Sequence, residues 1–571
     1  MSNNRYSRLI FLALGVGIFF AFVIPNHKPP WQNFFNEFLA GLAFAPIAGA
    51  AGLLGARLPT TGWVFLLLTG IVWAQHFFGL IFFSGEVWLA SLYLLGGACI
   101  MAAARCSVTN SVTTMGQADR SLWAGITLAG LVSVGIAVHQ WLGMDQVGLF
   151  FMEIPPGGRP YANLGQPNHL ATLFLLSILG IWLLWEQRLI GALTAVVSVV
   201  LLVFGVAITF SRTPVVAMLW MLPLLAFAKY RGWIRLPIIS SAGLVALSFA
   251  LIASIGDISR FLYLTLPAGG GVERLSLQDL RLEIWLDALK AIGQSPWVGY
   301  GWYQTPLAQL NVADGTQVLG QLLPSTHNLV LDLTLWLGIP LAMILMIAMA
   351  WSFLDKFNAR RGVVGIAAWL GVAVILNHSM LEYAELYAYF FAPACWWLGV
   401  LSAGSGSRLR TYKVDGPGFL WIIFRPLVFT SAVLLIVVGW EYLNYQSDWE
   451  VKRFRDALMD KSIQVPVRDP VLLTQLDAQL ELSAYDPFAV PREKPPVFAV
   501  EAAQRYPYPS NLLKLAIIQA INGQESAASE TMNKLCMLYR QVACESARAT
   551  WVAVGKSQIP ELARVALKPL P

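Results

Sequence analysis

The chain has 571 residues, of which 57% are hydrophobic and only 12% are charged, and its mean hydropathy is +0.62. This composition excludes an ordinary water-soluble protein and is typical of an integral membrane protein. The net charge of +6 does not indicate nucleic acid binding, because the Lys and Arg residues are spread over short segments between apolar runs, where they orient a membrane protein.

Long apolar runs follow one another along most of the chain, and each is long enough to cross a bilayer as a helix. We predict about thirteen membrane-spanning helices from them. The runs lie at roughly 7–24, 38–56, 62–83, 87–104, 121–141, 169–185, 189–209, 214–228, 236–255, 328–354, 362–381, 388–403 and 424–440. Arg5 and Arg8 lie near the start of the first run and no small-residue cleavage site follows it, so we expect that run to be retained.

Basic residues are unevenly distributed between the two sides of the membrane that these spans define. If the N-terminus is cytoplasmic, most of them fall in inner loops, and the shorter outer loops receive only Lys28, Arg159 and Arg212. Because loops rich in Lys and Arg stay in the cytoplasm, this orientation is the predicted one. An odd number of spans then places the C-terminal segment outside.

Three predicted outer segments are too long to be simple connections: about 142–168, about 256–327, and everything after residue 440. In the last of them charges and prolines become frequent, which indicates a separate domain of about 130 residues. Its final part has the pattern of a helix, an Asn522-Gly523 turn and a second helix, as in tetratricopeptide-like hairpins. The predicted fold is all-α, with a membrane domain over 1–440 that includes the outer loop 256–327, and an outer helical domain over 441–571.

The middle outer segment contains a helical pattern from Leu275 to Ile292. Its predicted apolar side carries Leu277, Leu280, Ile284, Trp285, Ala288 and Leu289. Its predicted charged side carries Asp279, Glu283, Asp287 and Lys290. The pattern predicts an amphipathic helix lying along the outer surface. Arg281 is the exception, because helical spacing puts it within the apolar side.

Polar groups suited to a phosphate ligand occur in the segment from Arg159 to His169. Asn168 is predicted to cap a helix that begins at His169, leaving backbone N–H groups facing the loop. Gln166 adds a polar side chain. Capping and turn chemistry explains much of this string, and a histidine in the first turn of a helix needs no catalytic role, so a structural interpretation stays open.

Two further arginines are candidates for binding a phosphate. Thr213 is a predicted N-cap with Pro214 at the first helical position, which places Arg212 at a positive helix end. Arg281 lies on the predicted surface helix. Arginine suits this task because its planar fork binds two phosphate oxygens. An interfacial arginine is also a common membrane anchor, and this alternative stays open for both.

A histidine, His327, lies where the long outer loop meets the next apolar run. An imidazole at the boundary between water and hydrocarbon titrates and can reach a substrate from either phase. Its structural alternative is a hydrogen-bonded interfacial residue. Near the outer end of the eleventh span, Tyr383 and Tyr387 accompany the carboxylates Glu382 and Glu385. Tyrosines at this depth are ordinary belt residues in many membrane proteins, whereas carboxylates so close to hydrocarbon are uncommon.

Common catalytic motifs provide no further assignment. No Walker, GxGxxG, GxSxG or HExxH arrangement occurs in a suitable context, so nucleotide-driven transport, serine hydrolase and metalloprotease functions lack support. The five cysteines show no metal-type spacing. We predict no cofactor and no metal. Because there is no ATP outside the inner membrane, a group-transfer enzyme there needs an activated donor, and a lipid-linked pyrophosphate is one.

Four strings of this sequence are similar to those of one family. They are Asn163-Leu-Gly-Gln-Pro-Asn-His-Leu-Ala, Ser211-Arg-Thr, Thr326-His-Asn-Leu-Val-Leu-Asp and His378-Ser-Met-Leu-Glu-Tyr. In combination they resemble the PglL-type bacterial O-oligosaccharyltransferases, within the wider O-antigen ligase and polymerase superfamily, over essentially the whole chain. The resemblance implies a multi-pass protein of the bacterial inner membrane, with its active site and C-terminal domain in the periplasm.

The resemblance also implies an activity and its residues. A glycan is transferred en bloc from undecaprenyl pyrophosphate to a Ser or Thr hydroxyl of an exported protein, typically a pilin, among membrane lipids and without nucleic acid. His327 matches the family's essential histidine, Gln166 its loop glutamine and Tyr383 its essential tyrosine, although Tyr387 is close enough to be the counterpart. His327 would take the proton of the attacking hydroxyl. The predicted substrate-binding residues are Arg159, Asn168, His169, Arg212, Arg281 and Tyr387.

Two other functions compete with this one. An O-antigen ligase that transfers glycan to lipid A-core shares the same core residues, and a multi-span transporter shares the apolar composition. The separate outer domain favours a protein acceptor, because a helical-repeat surface can hold a polypeptide. A transporter would more often have ionisable groups at the membrane midplane, and the best polar groups here cluster at the outer face.

The last two cysteines, Cys536 and Cys544, are predicted to form a disulfide, because the outer compartment is oxidising. On one continuous helix they would lie about 12 Å apart, too far for a bond that requires Cα atoms within about 7 Å. A turn between them is therefore expected, at about Arg540 to Ala543.

Overall fold

The structure is a computed structural model. It describes residues 5–25, 29–53, 56–108, 115–144, 148, 150–155, 157–265, 280–315, 320–359, 361–403, 419–458, 462–466, 468–487, 497–539, 541–557 and 559–569. Within these ranges the regular elements are helices and there is no β-strand, so the all-α prediction is confirmed.

The helices of the described residues are numbered here in chain order. They are α1 (Arg5–Val23), α2 (Phe34–Leu53), α3 (Thr60–Phe77), α4 (Ser84–Ser107), α5 (Gln117–Trp141), α6 (Pro167–Glu186), α7 (Ala192–Ile208), α8 (Thr213–Tyr230), α9 (Ile238–Phe261), α10 (Arg281–Gln294), α11 (Thr305–Val312), α12 (Leu329–Leu337), α13 (Ile339–Ala359), α14 (Val363–Ser379), α15 (Ala388–Ser402), α16 (Phe419–Leu458), α17 (Thr474–Ala484), α18 (Val497–Arg505), α19 (Pro509–Ile521), α20 (Glu525–Leu538) and α21 (Gln541–Ser557). Short 3₁₀ turns cover Ala313–Gly315, Ala384–Leu386 and Pro560–Arg564.

Every predicted apolar run overlaps one of these helices. Among the described residues, 9 helices are long and apolar enough to cross a membrane, namely α1, α2, α4, α5, α6, α8, α9, α13 and α16. Three shorter apolar helices, α7, α14 and α15, accompany them. A multi-pass membrane protein is therefore confirmed, whereas the total of about thirteen spans stays a prediction.

The predicted span 328–354 is wrong as one continuous helix. It breaks at Gly338, whose φ of 75° and ψ of 163° separate α12 from α13. A Cβ atom at this position would overlap the backbone carbonyl of Trp297, so the close approach of the two backbones requires glycine. The break leaves the N–H of Ile339 without a partner within the helix, and this N–H donates to the carbonyl of Pro296 in the preceding loop at 2.8 Å.

The last apolar run, 424–440, lies within a longer helix. α16 continues without interruption through residue 441 to Leu458. The chain packs into two compact units, each assembled from separate stretches. Unit 1 contains Met1–Leu68, Leu92–Gln278 and Ala348–Leu435, and unit 2 contains Thr69–Ser91, Asp279–Ile347 and Ile436–Pro571. The division into domains 1–440 and 441–571 stays a prediction.

Unit 1 has a large apolar core around α1, α5, α6, α14 and α15. Small residues let its helices approach closely: a Cβ atom on Gly125 of α5 would overlap the backbone of Gly15 of α1. Trp123 of α5 stacks on Trp397 of α15, with ring centroids 4.5 Å apart. α6 is the most enclosed of the nine long spans, with 89% of its most apolar stretch buried inside the protein. Residues at the start of α6 are therefore held by packing along the whole helix.

In unit 2, the predicted helix–turn–helix near the C-terminus is observed. α19 and α20 are joined at Asn522 and Gly523, and Gly523 adopts a φ of 73° that favours glycine. The tetratricopeptide-like character of this region stays a prediction. Cys536 and Cys544 form a disulfide, with Cα atoms 4.7 Å apart. The interruption of the helix between the two cysteines comes slightly earlier than predicted, because α20 ends at Leu538 and α21 already begins at Gln541.

The predicted surface helix corresponds to α10 in unit 2, and its residues 275–279 lie outside the described residues. The buried side consists of Ile284, Asp287, Ala288, Ala291 and Ile292. The predicted sides are therefore partly wrong, since Asp287 is buried and Leu289 is exposed. α10 packs on α11 and α12, and this tertiary contact selects the buried side. Leu282, Leu286 and Leu289 form an exposed apolar stripe, which suits a helix at a lipid surface.

Candidate active site

The start of α6 is organised by a proline. Pro167 occupies the first helical position, where a missing N–H costs nothing, and Gln166 becomes the N-cap, with an extended backbone at φ −143° and ψ 127°. The predicted cap at Asn168 is therefore wrong, because Asn168 already lies within the first turn. Its side chain is used for contacts with other segments of unit 1 instead.

A buried carboxylate, that of Glu382, receives the side chains of this turn. Asn168 donates from Nδ2 to Glu382 Oε1 at 2.7 Å, and Gln166 donates from Nε2 to Glu382 Oε2 at 3.2 Å. Glu382 is only 4% exposed. Both carboxylate oxygens therefore accept a hydrogen bond from a side-chain amide. The contact joins two segments that lie more than 200 residues apart in the sequence into one polar cluster.

The other side of Asn168 faces two further donors. Its Oδ1 accepts hydrogen bonds from Ser211 Oγ at 2.5 Å and from Arg159 Nη2 at 3.4 Å. Arg159 also donates from Nε to the carbonyl of Thr209 at 2.8 Å. The cluster thus includes a guanidinium and a carboxylate joined through one amide, and it links the loop before α6 to the segment before α8.

The start of α8 differs from the prediction. The N-cap is Arg212 and Thr213 is the first helical residue, so the predicted cap at Thr213 is wrong. Pro214 follows at the second helical position, where its fixed φ and missing N–H are still tolerated. Arg212 is half-buried at this helix end, with positive helix dipole beside it, as predicted.

His169 lies in a buried aromatic cluster of unit 1. Its exposed fraction is 1%, and its Nδ1 shares a 3.1 Å hydrogen bond with the Tyr389 hydroxyl. The edge of the ring meets Tyr387 with centroids 4.4 Å apart. Thr172, one turn further along α6, shares a 2.8 Å hydrogen bond with Nδ1 of His378. These contacts support the structural interpretation of His169, while its predicted part in substrate binding stays a prediction.

Tyr383 and Tyr387 form a pair, so the structure does not separate the two candidates. Their rings stack with centroids 5.9 Å apart and their hydroxyls are hydrogen-bonded. Burial, and then the nearby charge of Glu382, raises the pKa of Tyr383 to about 12. Burial also raises the pKa of Tyr387. Both phenols therefore keep their protons at neutral pH and can donate hydrogen bonds.

In unit 2, His327 is held in an unusual backbone conformation. Its φ is 58°, in the left-handed region that few residues other than glycine adopt. Its N–H donates to Ser325 Oγ at 2.9 Å, and the Ser325 hydroxyl donates to Asp332 Oδ2 at 2.6 Å. Asp332 Oδ1 also accepts the N–H of Thr326 at 2.9 Å. A fully buried carboxylate therefore organises the turn that carries His327.

The same turn is tied to the helices on each side of it. Asn328 caps α12, accepting the N–H groups of Val330 and Leu331 at 3.0 and 3.3 Å. Trp285 of α10 donates from Nε1 to the carbonyl of Thr326 at 3.1 Å. Arg281 lies one helical turn before Trp285 and hence on the same side of α10. Trp285 thus joins α10, the helix that carries Arg281, to the turn that carries His327.

Sequence reasoning missed three polar residues of these clusters. Glu382 was visible as a carboxylate near hydrocarbon, but its partners were not. Asp332 and Ser211 lie inside the family-like strings without an assigned role. The signal for Asp332 is its position four residues after the N-cap Asn328, where its carboxylate can return to the turn. For Ser211, the sequence gives no indication of a role beyond its place in the string Ser211-Arg-Thr.

Two family models match parts of this chain that include the His327 turn and the pair Tyr383 and Tyr387, whereas the segment from Arg159 to His169 lies outside both. Residues 197–346 match the family model described as O-Antigen ligase. Residues 366–553 match the one described as Virulence factor membrane-bound polymerase, C-terminal. The first match contains Arg212, Arg281 and His327, and the second contains Tyr383 and Tyr387.

Two curated relatives come from Acinetobacter baylyi. A general O-oligosaccharyltransferase is 28% identical over 546 residues, covering 93% of this chain and 93% of the relative. A ComP-specific O-oligosaccharyltransferase is 24% identical over 405 residues, covering 70% of this chain and 73% of the relative. No solved structure matches the chain.

The helical spans and these matches define the class of protein as a multi-pass membrane enzyme that transfers glycosyl groups. Within that class, the matches support a PglL-type O-oligosaccharyltransferase of the O-antigen ligase superfamily. The resemblance carried by the four strings is thereby confirmed.

Proposed function

We propose that this chain transfers an oligosaccharide en bloc from undecaprenyl pyrophosphate to Ser or Thr hydroxyls of an exported protein such as pilin, at the periplasmic side of the bacterial inner membrane. The observation that carries the proposal is the turn at His327. A left-handed backbone in a residue other than glycine costs free energy, and it persists only where surrounding contacts impose it. Here Ser325 and Asp332 supply those contacts, in a protein whose relatives transfer glycans.

The chemistry requires a base for a weak nucleophile. A Ser or Thr hydroxyl attacks an anomeric carbon well only when its proton is removed as the bond forms. His327 provides an imidazole, the side chain that most often takes a proton in general base catalysis. The hydroxyl proton passes to the imidazole, the new C–O bond forms, and the bond to the pyrophosphate breaks.

The leaving pyrophosphate needs positive charge. Arg212, at the N-terminus of α8, and Arg281, on the side of α10 that faces the His327 turn, are the candidates. A cation at the positive end of a helix dipole is unfavourable by itself. A bound phosphate would offset both the charge of the arginine and the positive end of the dipole. In unit 1, Arg159 and Asn168 are further candidates for binding an anion or a sugar, and Tyr383 and Tyr387 can donate hydrogen bonds.

A protein acceptor is favoured over a lipid. Both relatives are named as O-oligosaccharyltransferases, and one is specific for ComP. The helical hairpin of α19 and α20 also supplies a surface of the kind that binds polypeptides. The competing function is transfer to lipid A-core, as in an O-antigen ligase.

The test is transfer by the purified protein from a defined undecaprenyl pyrophosphate-linked glycan. A pilin acceptor and lipid A-core are offered together, and each product is identified by mass. We expect glycan on Ser or Thr of the pilin and none on the lipid. Glycan on lipid A-core alone would establish the ligase function instead. As a control, an acceptor with its modified Ser or Thr changed to Ala should receive no glycan.

A further inference from the structure

Glu382 is a fixed point of unit 1. It follows α14 directly, and its N–H donates to the carbonyl of His378 at 2.8 Å. With its backbone held in this way and its side chain only 4% exposed, the carboxylate has a defined position. Because both of its oxygens already accept amide N–H groups, it is a poor base and a strong template for orienting those amides.

Asn168 has its amide orientation fixed by its surroundings. Its Nδ2 faces the Glu382 carboxylate at 2.7 Å, and its Oδ1 faces the Ser211 hydroxyl at 2.5 Å. Rotating the amide by 180° would place its oxygen against a carboxylate and its NH₂ group against the Arg159 guanidinium. Both contacts would be repulsive, so this side chain does not turn.

Gln166 is held at one end only. Its Nε2 donates to Glu382 Oε2 at 3.2 Å, and this contact directs Oε1 the other way. Oε1 is buried and accepts no hydrogen bond from the part of the chain that the structure describes. A buried amide oxygen that lacks a donor costs about 1–3 kcal/mol. It is therefore an acceptor for an O–H or N–H group that arrives with a substrate.

We propose that Glu382 is a positioning residue, which orients Gln166 so that its Oε1 accepts a hydrogen bond from a hydroxyl or amide N–H of the donor sugar next to the pyrophosphate. The inference rests on the proposed function. The donor sugar is favoured over the acceptor protein as the group bound at Gln166, because Arg159 belongs to the same cluster through its hydrogen bond to Asn168. Arginine is a residue that commonly binds phosphate. A group bound at Gln166 is then the immediate neighbour of an anion bound at the guanidinium.

The decisive variant is Glu382→Gln. The new side chain has one oxygen and one NH₂ group, so it can accept from only one of its two amide neighbours. Asn168 is held by Ser211 and Arg159, and Gln166 is therefore the residue that turns. It would then present Nε2 to the sugar, where an acceptor is needed. Glu382→Asp keeps the charge and both acceptor oxygens, and it should restore part of the function.

Two measurements test the proposal: kcat and KM for transfer, and binding of the donor in the absence of acceptor. Each is made with the parent donor and with analogues in which one hydroxyl or amide of the first sugar is replaced by hydrogen. We expect the wild type to prefer the parent donor over one of these analogues by about tenfold, as for one hydrogen bond. Glu382→Gln and Gln166→Ala should both reduce this preference to less than about twofold. Acceptor analogues should show no such difference between variants.

Glu186 provides the matched control. It is another buried carboxylate of unit 1, at the opposite end of α6, where it accepts the N–H groups of Arg235 and Leu236 at 2.8 and 2.9 Å. Glu186→Gln should lower the melting temperature while keeping the tenfold donor preference. The effect of Glu382→Gln on preference is thus separable from a general loss of stability.

The outcomes discriminate between the two proposals. A Glu382→Gln protein that keeps the wild-type preference per folded molecule overturns the positioning role, whatever its stability. A preference that shifts with acceptor analogues instead of donor analogues also overturns it. If the wild type transfers no glycan to any Ser or Thr acceptor, the proposed function fails, while the donor-binding measurement still decides the role of Glu382.

Discussion

Ser325 and Asp332 are joined by a 2.6 Å hydrogen bond that spans the turn carrying His327. The Ser325 hydroxyl also accepts the N–H of His327 at 2.9 Å. The position of the candidate base is therefore set by a carboxylate five residues further along the chain, through one serine. Two residues with no direct chemical role in the proposed reaction therefore hold the backbone turn from which the imidazole extends.

Asp332→Asn should weaken this turn. The new amide can still accept the N–H of Thr326, but its NH₂ group meets the Ser325 hydroxyl, which loses its acceptor. We expect the free energy of unfolding to fall by about 1–3 kcal/mol, and transfer to fall about tenfold or more. Ser325→Ala should behave similarly. Because the two residues act through the same turn, the double variant should lose less than the sum of the two losses. Additive losses would contradict the connection.

Two substitutions of His327 separate its chemistry from its conformation. His327→Ala should abolish transfer and leave the protein inserted. His327→Gly should be equally inactive but more stable than His327→Ala by about 1 kcal/mol, because glycine adopts a φ of 58° without steric cost. Transfer at matched expression and melting temperatures test both statements. Near-normal glycosylation by either variant would remove His327 from the mechanism.

Arg212→Lys and Arg281→Lys should raise the KM for the lipid-linked donor by about tenfold each. Lysine keeps the charge but loses the two-pronged contact with phosphate oxygens. The control is Arg260→Lys, since Arg260 is exposed on α9 and pairs with Asp257 at 2.8 Å. Initial rates over a range of donor concentrations give the KM values. If both lysine variants match the wild type, these arginines are membrane anchors.

Breaking the disulfide should destabilise unit 2 without changing transfer. Cys536→Ser combined with Cys544→Ser removes a bridge between residues 8 positions apart, which corresponds to about 2–3 kcal/mol for a loop of this size. The same change at the free Cys106 serves as the control. Thiol labelling of the unreduced, denatured wild type provides an independent check, because two reactive thiols at positions 536 and 544 would exclude the bridge.

One carboxylate of α17 should make stability depend on pH. Burial raises the pKa of Asp477 to about 6, and the neighbouring Glu481, Asp448 and Asp469 add to the shift. The folded-state pKa lies above that of the unfolded chain, so the contribution of Asp477 to stability is complete below about pH 4. It is lost as the pH rises through about 6.

Asp477→Asn should therefore raise the melting temperature by about 2 °C at pH 7.5, and by less at pH 4.5. The exposed carboxylate Glu525 on α20 provides the matched change, Glu525→Gln, which should not alter the pH profile. A gain from Asp477→Asn that is the same at both pH values would mean that packing, and not charge, is the cause.

Much of the fold followed from local pattern. An apolar run of about 20 residues in a membrane satisfies its backbone hydrogen bonds only as a helix, so hydropathy predicted where the helices lie. The helix–turn–helix at Asn522-Gly523 and the pairing of Cys536 with Cys544 were also predictable, because a turn residue and a distance limit are local constraints. The four strings identified the family for a related reason, since each is a short segment with particular residue types.

Tertiary contacts decided the rest. The buried side of α10 was set by its packing against α11 and α12. The caps at Asn168 and Thr213 were wrong for a local reason, because α6 already begins at Pro167 and α8 already begins at Thr213. The partner of Gln166 lies 216 residues away in the sequence, and that of Asn168 lies 214 residues away. Local periodicity gives the side of a helix on which a residue lies, but not which distant residue it meets. That depends on how α6 packs beside α14, and only there does Glu382 acquire its two amide donors.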